Sequence, residues 1–214
     1  MKIILQLDTY LRQRIFKKVT QTTDYIAVVL DTMEVLLSFW HGNLDDCRAP
    51  YIFYESEERR IYLVDVDKII SFGFLFNIKL GVEDVNAKDN YISKFQYRVF
   101  DFDPKNISQA KSILKNVSDK DSLPLYCYES FNFDENDGVD DYSRILFEQI
   151  LFTEAGYFRY DHDGVKSDPV FHPEHHIDVN YSHHVSYKIG ISNKLDLTQI
   201  RDLVNKKSQC RYLK

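Results

Sequence analysis

Cysteine is scarce in this chain. Its three cysteines, Cys47, Cys127 and Cys210, lie far apart, are odd in number and show no CxxC spacing. That argues against a disulfide framework and against a cysteine-built zinc site, and it fits a reducing cytosol. Basic excess is missing too: 27 Lys and Arg stand against 33 Asp and Glu, a net charge of −6. Proteins that coat nucleic acid through phosphate contacts carry a basic surface, so that class is set aside, although a local basic pocket is not. No charged leader followed by an apolar core opens the sequence, so no secretory signal is expected. The longest apolar stretch, residues 25–40, contains Asp31 and Glu34 and is too short and too charged to span a membrane. These absences predict a cytoplasmic protein with no membrane contact. Internal repeats, low-complexity runs and long linkers are also lacking.

What the 214 residues do contain is apolar and aromatic: 44% hydrophobic, with fifteen Tyr and fifteen Phe. That suffices for one sizeable core. Runs of strands interrupted by isolated helices predict a single α+β domain over residues 1–214. Its sheet is expected to be mostly antiparallel, with helices packed on one face. Residues 3–19 place Ile4, Leu7, Leu11 and Ile15 on one helical side. Residues 25–40 repeat the period with Ile26, Val29, Leu30, Met33, Leu36, Leu37 and Trp40, with Thr23 or Asp24 as N-cap and Gly42 as stop. This N-terminal helical pair reads as an appendage over roughly residues 1–45. Strands are expected at 51–54 and 60–66 around an acidic turn, within the apolar run 69–82, at 91–102 and, centrally, at 124–133. Helices are expected at 107–117 and 140–152, and Asp196 with Gln199 has capping-box spacing before a closing helix.

The remaining stretch, 157–214, reads as a histidine-rich strand–hairpin–helix core. Six of the seven histidines fall there: His162, His172, His175, His176, His183 and His184. From His176, the apolar residues Ile177, Val179 and Tyr181 alternate with Asp178 and Asn180; from Val185, Tyr187, Ile189 and Ile191 alternate with Lys188 and Gly190. Successive strand side chains point to opposite faces, so His176, Asp178, Asn180 and Lys188 share a polar face. Arg159 and Asp161 share a face of a third strand and join that cluster if the strand pairs with the hairpin. A tight turn near residues 182–183 sets His176 near Ile189 and Asp178 near Tyr187, with Lys188 a diagonal neighbour of Asp178.

Three chemistries fit these residues. His172, His176 and Asp178 offer imidazole and carboxylate ligands that suit a divalent metal, provided His172 folds back from its loop before Pro173. Without a metal, His176 with His172 or His184 supplies a general acid–base pair for cleaving a phosphodiester. In that version Lys188 and Arg159 steady the charged transition state and Asp178 orients a histidine. The third alternative is structural: Arg159 and Asp161 as a cross-strand ion pair and the imidazoles as loop and surface groups. No HExxH helix is present, and the acidic turn at 134–138 lacks the ligand spacing of a calcium loop.

The series FRYD, HPEHHIDVNY, YKIGI and LDLTQIRDLV resembles an uncharacterised prokaryotic family of unknown function. Its members show an aromatic-Arg-aromatic-Asp strand, a His-Pro-x-x-His turn, a further strand and a closing helix. The series is also loosely similar to toxin proteins of toxin–antitoxin modules, which are shorter and lack the N-terminal helices. The resemblance covers the last third of the chain and carries over Arg159, Asp161, His172, His176 and Asp178. It implies a bacterial, cytosolic, accessory or defence-type protein. Two function classes follow. One is a phosphodiester hydrolase acting on RNA or a nucleotide, centred on His176, Asp178, Lys188, Arg159, Asp161 and His172. The other is a non-catalytic binding protein whose partner is encoded in the same operon.

Overall fold

A computed structural model describes residues 1–40, 47–82, 90–116, 138–165, 167–182, 185–205 and 207–209. The fold is α+β. A seven-stranded sheet runs in the order β1 (Lys2–Gln6), β2 (Tyr51–Glu55), β3 (Arg60–Val64), β4 (Lys68–Gly73), β8 (Phe158–His162), β9 (His175–Val179) and β10 (Tyr187–Ile191). A three-stranded sheet follows β5 (Asn77–Val82), β6 (Asn90–Tyr97) and β7 (Phe100–Phe102). Every strand pair in both is antiparallel.

The main core gathers Ile3, Leu5, Ile52, Tyr54, Ile61, Leu63, Ile70 and Phe72 from one face of the large sheet. Against them pack α1 (Thr9–Ile15), α2 (Thr22–Phe39), α3 (Pro104–Asn116) and α4 (Asp141–Phe152), together with the small sheet. The opposite face carries Phe53, Tyr62, Val64, Ile69, Phe158, Tyr160 and Ile177 and is covered by α5 (Leu197–Val204) through Ile200. Among the described residues four helices thus lie on one face, and the short closing helix takes the other. It starts at the capping box of Asp196 and Gln199. Arg201 clamps it to the β2–β3 turn by donating to Glu58 at 2.5 Å and to Glu55.

Two expectations are corrected at the N-terminus. Residues 3–19 do not form one helix: Lys2–Gln6 is a strand antiparallel to β2, and α1 begins only after Asp8, whose carboxylate accepts from the Leu11 amide at 2.7 Å. The apolar residues there satisfy a period of two as well as 3.6, and an unpaired edge of β2 decides in favour of the strand. Nor are these residues an appendage, since β1 extends the sheet and α2 fills the core. The N-cap of α2 is Gln21, ahead of the expected Thr23 or Asp24. The run 69–82 divides between the two sheets, and 91–102 is a hairpin rather than one strand. The expected strand at 124–133, most of the acidic turn at 134–138, and Gly42, His183 and His184 lie outside the described residues.

Candidate functional site

The face of β1–β4 that carries the main core continues onto β8, β9 and β10, but there its residues turn polar. Two rows cross the strands. One reads Ile70, Arg159, Asp178, Lys188; the next reads Lys68, Asp161, His176, Gly190. The register differs from the expected one: Asp178 faces Lys188 directly and His176 faces Gly190. Asn180, just after β9, lies in the left-handed region, φ 65°, and its carboxamide oxygen accepts from the Tyr181 amide at 2.7 Å.

Arg159 sits between the two carboxylates. It donates from Nε to Asp161 Oδ2 at 2.5 Å and from Nη2 to Asp178 Oδ2 at 2.6 Å. Burial opposes charge on this guanidinium, but the two aspartates outweigh it and hold its pKa above the ordinary value. Lys188 Nζ lies 3.5 Å from Asp178 Oδ1, and Lys68 Nζ lies 3.8 Å from Asp161 Oδ1. Tyr157, two residues before Arg159, turns its buried hydroxyl toward the same charges, and burial pushes that hydroxyl up to about 12.

His176 is the deepest member, with no exposed surface. Its Nδ1 lies 2.8 Å from the Pro173 carbonyl, which only accepts, so Nδ1 carries a proton. In the neutral form of the ring that tautomer puts the lone pair on Nε2. That atom is buried, has no hydrogen-bond partner, and faces Asp161 Oδ2 at 3.6 Å and Asp178 Oδ2 at 3.9 Å. A buried polar atom without a partner is costly, of the order of 1–3 kcal/mol, and calls for an explanation. Asp161, His176 and Asp178 form a group whose ligand atoms lie within 4.8 Å of one another, close enough to hold a metal ion.

His172 is not in that group, which corrects the expected set of His172, His176 and Asp178. The loop before β9 folds into a small hairpin in which Asp168 and His172 exchange backbone hydrogen bonds at 2.7 and 2.9 Å. The loop lays the His172 ring 4.6 Å from that of His176 but turns its nitrogens elsewhere. Nδ1 accepts from Lys188 Nζ at 3.0 Å, and Nε2 faces Asp163 at 3.6 Å. Arg159, Asp161, His176, Asp178 and Lys188 therefore converge, with His172 on the solvent side of them.

No family model, no curated protein and no solved structure matches this chain. The family resemblance rests on its own motifs.

Sequence reasoning passed over Lys68 and gave Asp163 and Gly190, though noted on their strands, no role in the site. Lys68 enters through the β4–β8 pairing, which no local pattern announces. Gly190 has a clearer signature, as a glycine inside an alternating strand marks a close approach. A Cβ there would stand 3.0 Å from the Pro173 ring, whose carbonyl holds His176. A groove of about 870 Å3 lies on the other face of these strands, lined by Phe158, Ile177, Val179, Ile189, Ile191 and Leu203. Its lining mixes these apolar side chains with polar ones, among them Glu154, Asn180 and Ser192, and it is separate from the charged cluster. Among the described residues no helix is long and apolar enough to cross a membrane.

Proposed function

We propose that the chain is a metal-assisted phosphodiester hydrolase acting on RNA or a nucleotide, with Asp161, His176 and Asp178 as the ligands of a divalent ion. The observation that carries this reading is the buried, partnerless Nε2 of His176 aimed between two carboxylates. Its burial favours ligation over direct acid–base contact, since a side chain with no exposed surface does not reach a substrate hydroxyl. One imidazole with two carboxylates suits manganese, iron or magnesium better than copper or a thiolate-seeking metal. A divalent ion held by Asp161, His176 and Asp178 would supply Lewis-acid activation of water for attack on a phosphodiester. Arg159 holds both carboxylates in place. Lys188 and Lys68 face solvent and balance charge on the phosphoryl oxygens. In this reading His172, on the solvent side of the cluster, is the group that gives a proton to the departing oxygen. Phe171, beside it and 83% exposed, offers a ring on which a base stacks.

The cellular setting, a bacterial defence or toxin–antitoxin system, is part of the proposal and is supported by the motif resemblance. The test is cleavage of single-stranded RNA and a cyclic dinucleotide by the full chain. Activity is expected to vanish with chelator, return with Mn2+, and fall at least about a hundredfold in Asp178→Asn and His176→Ala. Chelator-resistant activity, or full activity in both variants, would overturn the reading. A second reading, a non-catalytic protein with an operon-encoded partner, is favoured by the groove and by β10, the edge strand beside it. Copurification of a partner from the native host, with no turnover by either protein, would select it.

A further inference from the structure

The other face of the β8–β9 pair carries a second cluster that the proposed reaction does not use. His162 and His175 are direct cross-strand partners, with rings 4.6 Å apart. Glu174, next to His175, brings Oε1 to 3.0 Å from His162 Nε2. One ligand atom from each of His162, Glu174 and His175 lies within 4.8 Å of the others. Two ligands each about 2.1 Å from a zinc ion, at an angle between square and tetrahedral, stand about 3.0–3.4 Å apart. The His162–Glu174 separation already has that value.

The far nitrogens give an independent indication. Histidines that bind metals have their second nitrogen held by a carboxylate, a carbonyl or another fixed polar group, which sets the ring's direction and tautomer. His162 Nδ1 is held by Asp67 Oδ1 at 3.0 Å, from the turn between β3 and β4. His175 Nδ1 is held by the Tyr160 hydroxyl at 3.1 Å, and that hydroxyl is fixed by the Leu195 amide, also at 3.1 Å. Neither holder belongs to the ligand group. Each imidazole is left with Nε2 as the nitrogen turned away from its holder. Lys194, 3.7 Å from Asp67, offsets part of the local negative charge.

We propose that His162, His175 and Glu174 form a second metal site, selective for Zn2+, with Asp67 and Tyr160 as the groups that orient its histidines. Two imidazoles and one carboxylate are a zinc donor set, and three protein ligands leave a coordination position for water. The site ties the end of β8 to the start of β9. It is distinct from the Asp161 group, which lies on the opposite sheet face.

The experiment is equilibrium dialysis of the full chain against Zn2+, with Co2+ absorption as a second readout. Wild type, Glu174→Gln, Asp67→Asn, Tyr160→Phe and His176→Ala are compared. Glu174 is largely exposed, 54% of its side chain, so Glu174→Gln is expected to fold normally and to lose this zinc. Asp67→Asn and Tyr160→Phe keep every ligand and should weaken binding about 10–100-fold. His176→Ala should retain the zinc even if the proposed hydrolase centre is destroyed, which separates the two proposals. Zinc binding unchanged in Glu174→Gln, absent in His176→Ala, or indifferent to both holder variants would overturn this site.

Discussion

Phe171 directly precedes His172 in the chain, and its ring touches water over most of its surface. Such a residue adds little to the fold, so its loss reports on substrate alone. Stacking a base on an aromatic ring contributes about 1–3 kcal/mol. Phe171→Ala should therefore raise KM for an oligonucleotide about tenfold and leave kcat and the melting temperature nearly unchanged. A parallel loss of kcat would place the ring in the chemistry rather than in binding. At this scale the sequence displayed residue types and strand faces well. Alternation alone put His176, Asp178 and Lys188 together, and the structure assembles them with Arg159 and Asp161. It did not display depth. Nothing local distinguishes His176, which is sealed, from His172, which is not, because the cover comes from a loop whose path depends on Asp168. The clasp of His162 by Asp67 was equally hidden, since its partners are 95 residues apart.

Strands and helices were legible where their local signals agreed with their tertiary partners. The β2–β3 hairpin, α2, α3, α4 and the capped α5 all follow from period and cap chemistry. The exceptions are elements whose identity depends on a neighbour. β1 exists because β2 offers an edge, and β4 and β5 separate because each joins a different sheet. Strand β10 illustrates how an element positions chemistry without supplying a ligand. Gly190 leaves the space that Pro173 occupies, and Pro173 holds His176. Gly190→Val should push the proline ring away and release Nδ1 of His176. The expected result is weaker Mn2+ binding, about tenfold, with a loss of stability near 1–2 kcal/mol for the forced contact. Isothermal titration and chemical denaturation of the variant measure the two effects. Unaltered Mn2+ affinity would show that this contact does not govern the ring.

The whole molecule depends on a second charged cluster, between helices. Asp31 on α2 accepts from Lys17 at 2.8 Å and Lys111 at 2.7 Å, and Glu34 accepts from Lys111 at 2.6 Å and from Arg14. Burial would raise the Asp31 carboxyl, but the lysines outweigh burial and hold its pKa below the usual value. Its folded pKa is thus the lower one. The stabilisation is fully present above the unfolded carboxylate pKa and is lost as pH falls through the folded value. Urea midpoints should drop in that acid range, and Asp31→Asn should lower the neutral plateau while flattening the acid limb. An acid limb identical in the variant would assign the effect to other carboxylates. The α+β class with its antiparallel sheet was legible from composition and pattern, but the order of its strands was not. β4 joins β8 across more than eighty residues of intervening chain, and pairing at that distance leaves no periodic trace.

That junction has a practical corollary. Both metal-binding candidates lie on β8 and β9 and the segments around them, and these strands with β10 and α5 are consecutive in the chain. They join the remainder through the β4–β8 ladder and the Arg201 clamp, with Ile200 packed on the sheet, Asp67 held by His162 and Tyr181 stacked on Tyr25. A polypeptide interrupted between α4 and β8, near Glu154, would divide into a scaffold half and a half with the candidate metal ligands. Mixing the two halves should restore the ladder, so the protein would serve as a split reporter whose reassembly is read by metal uptake.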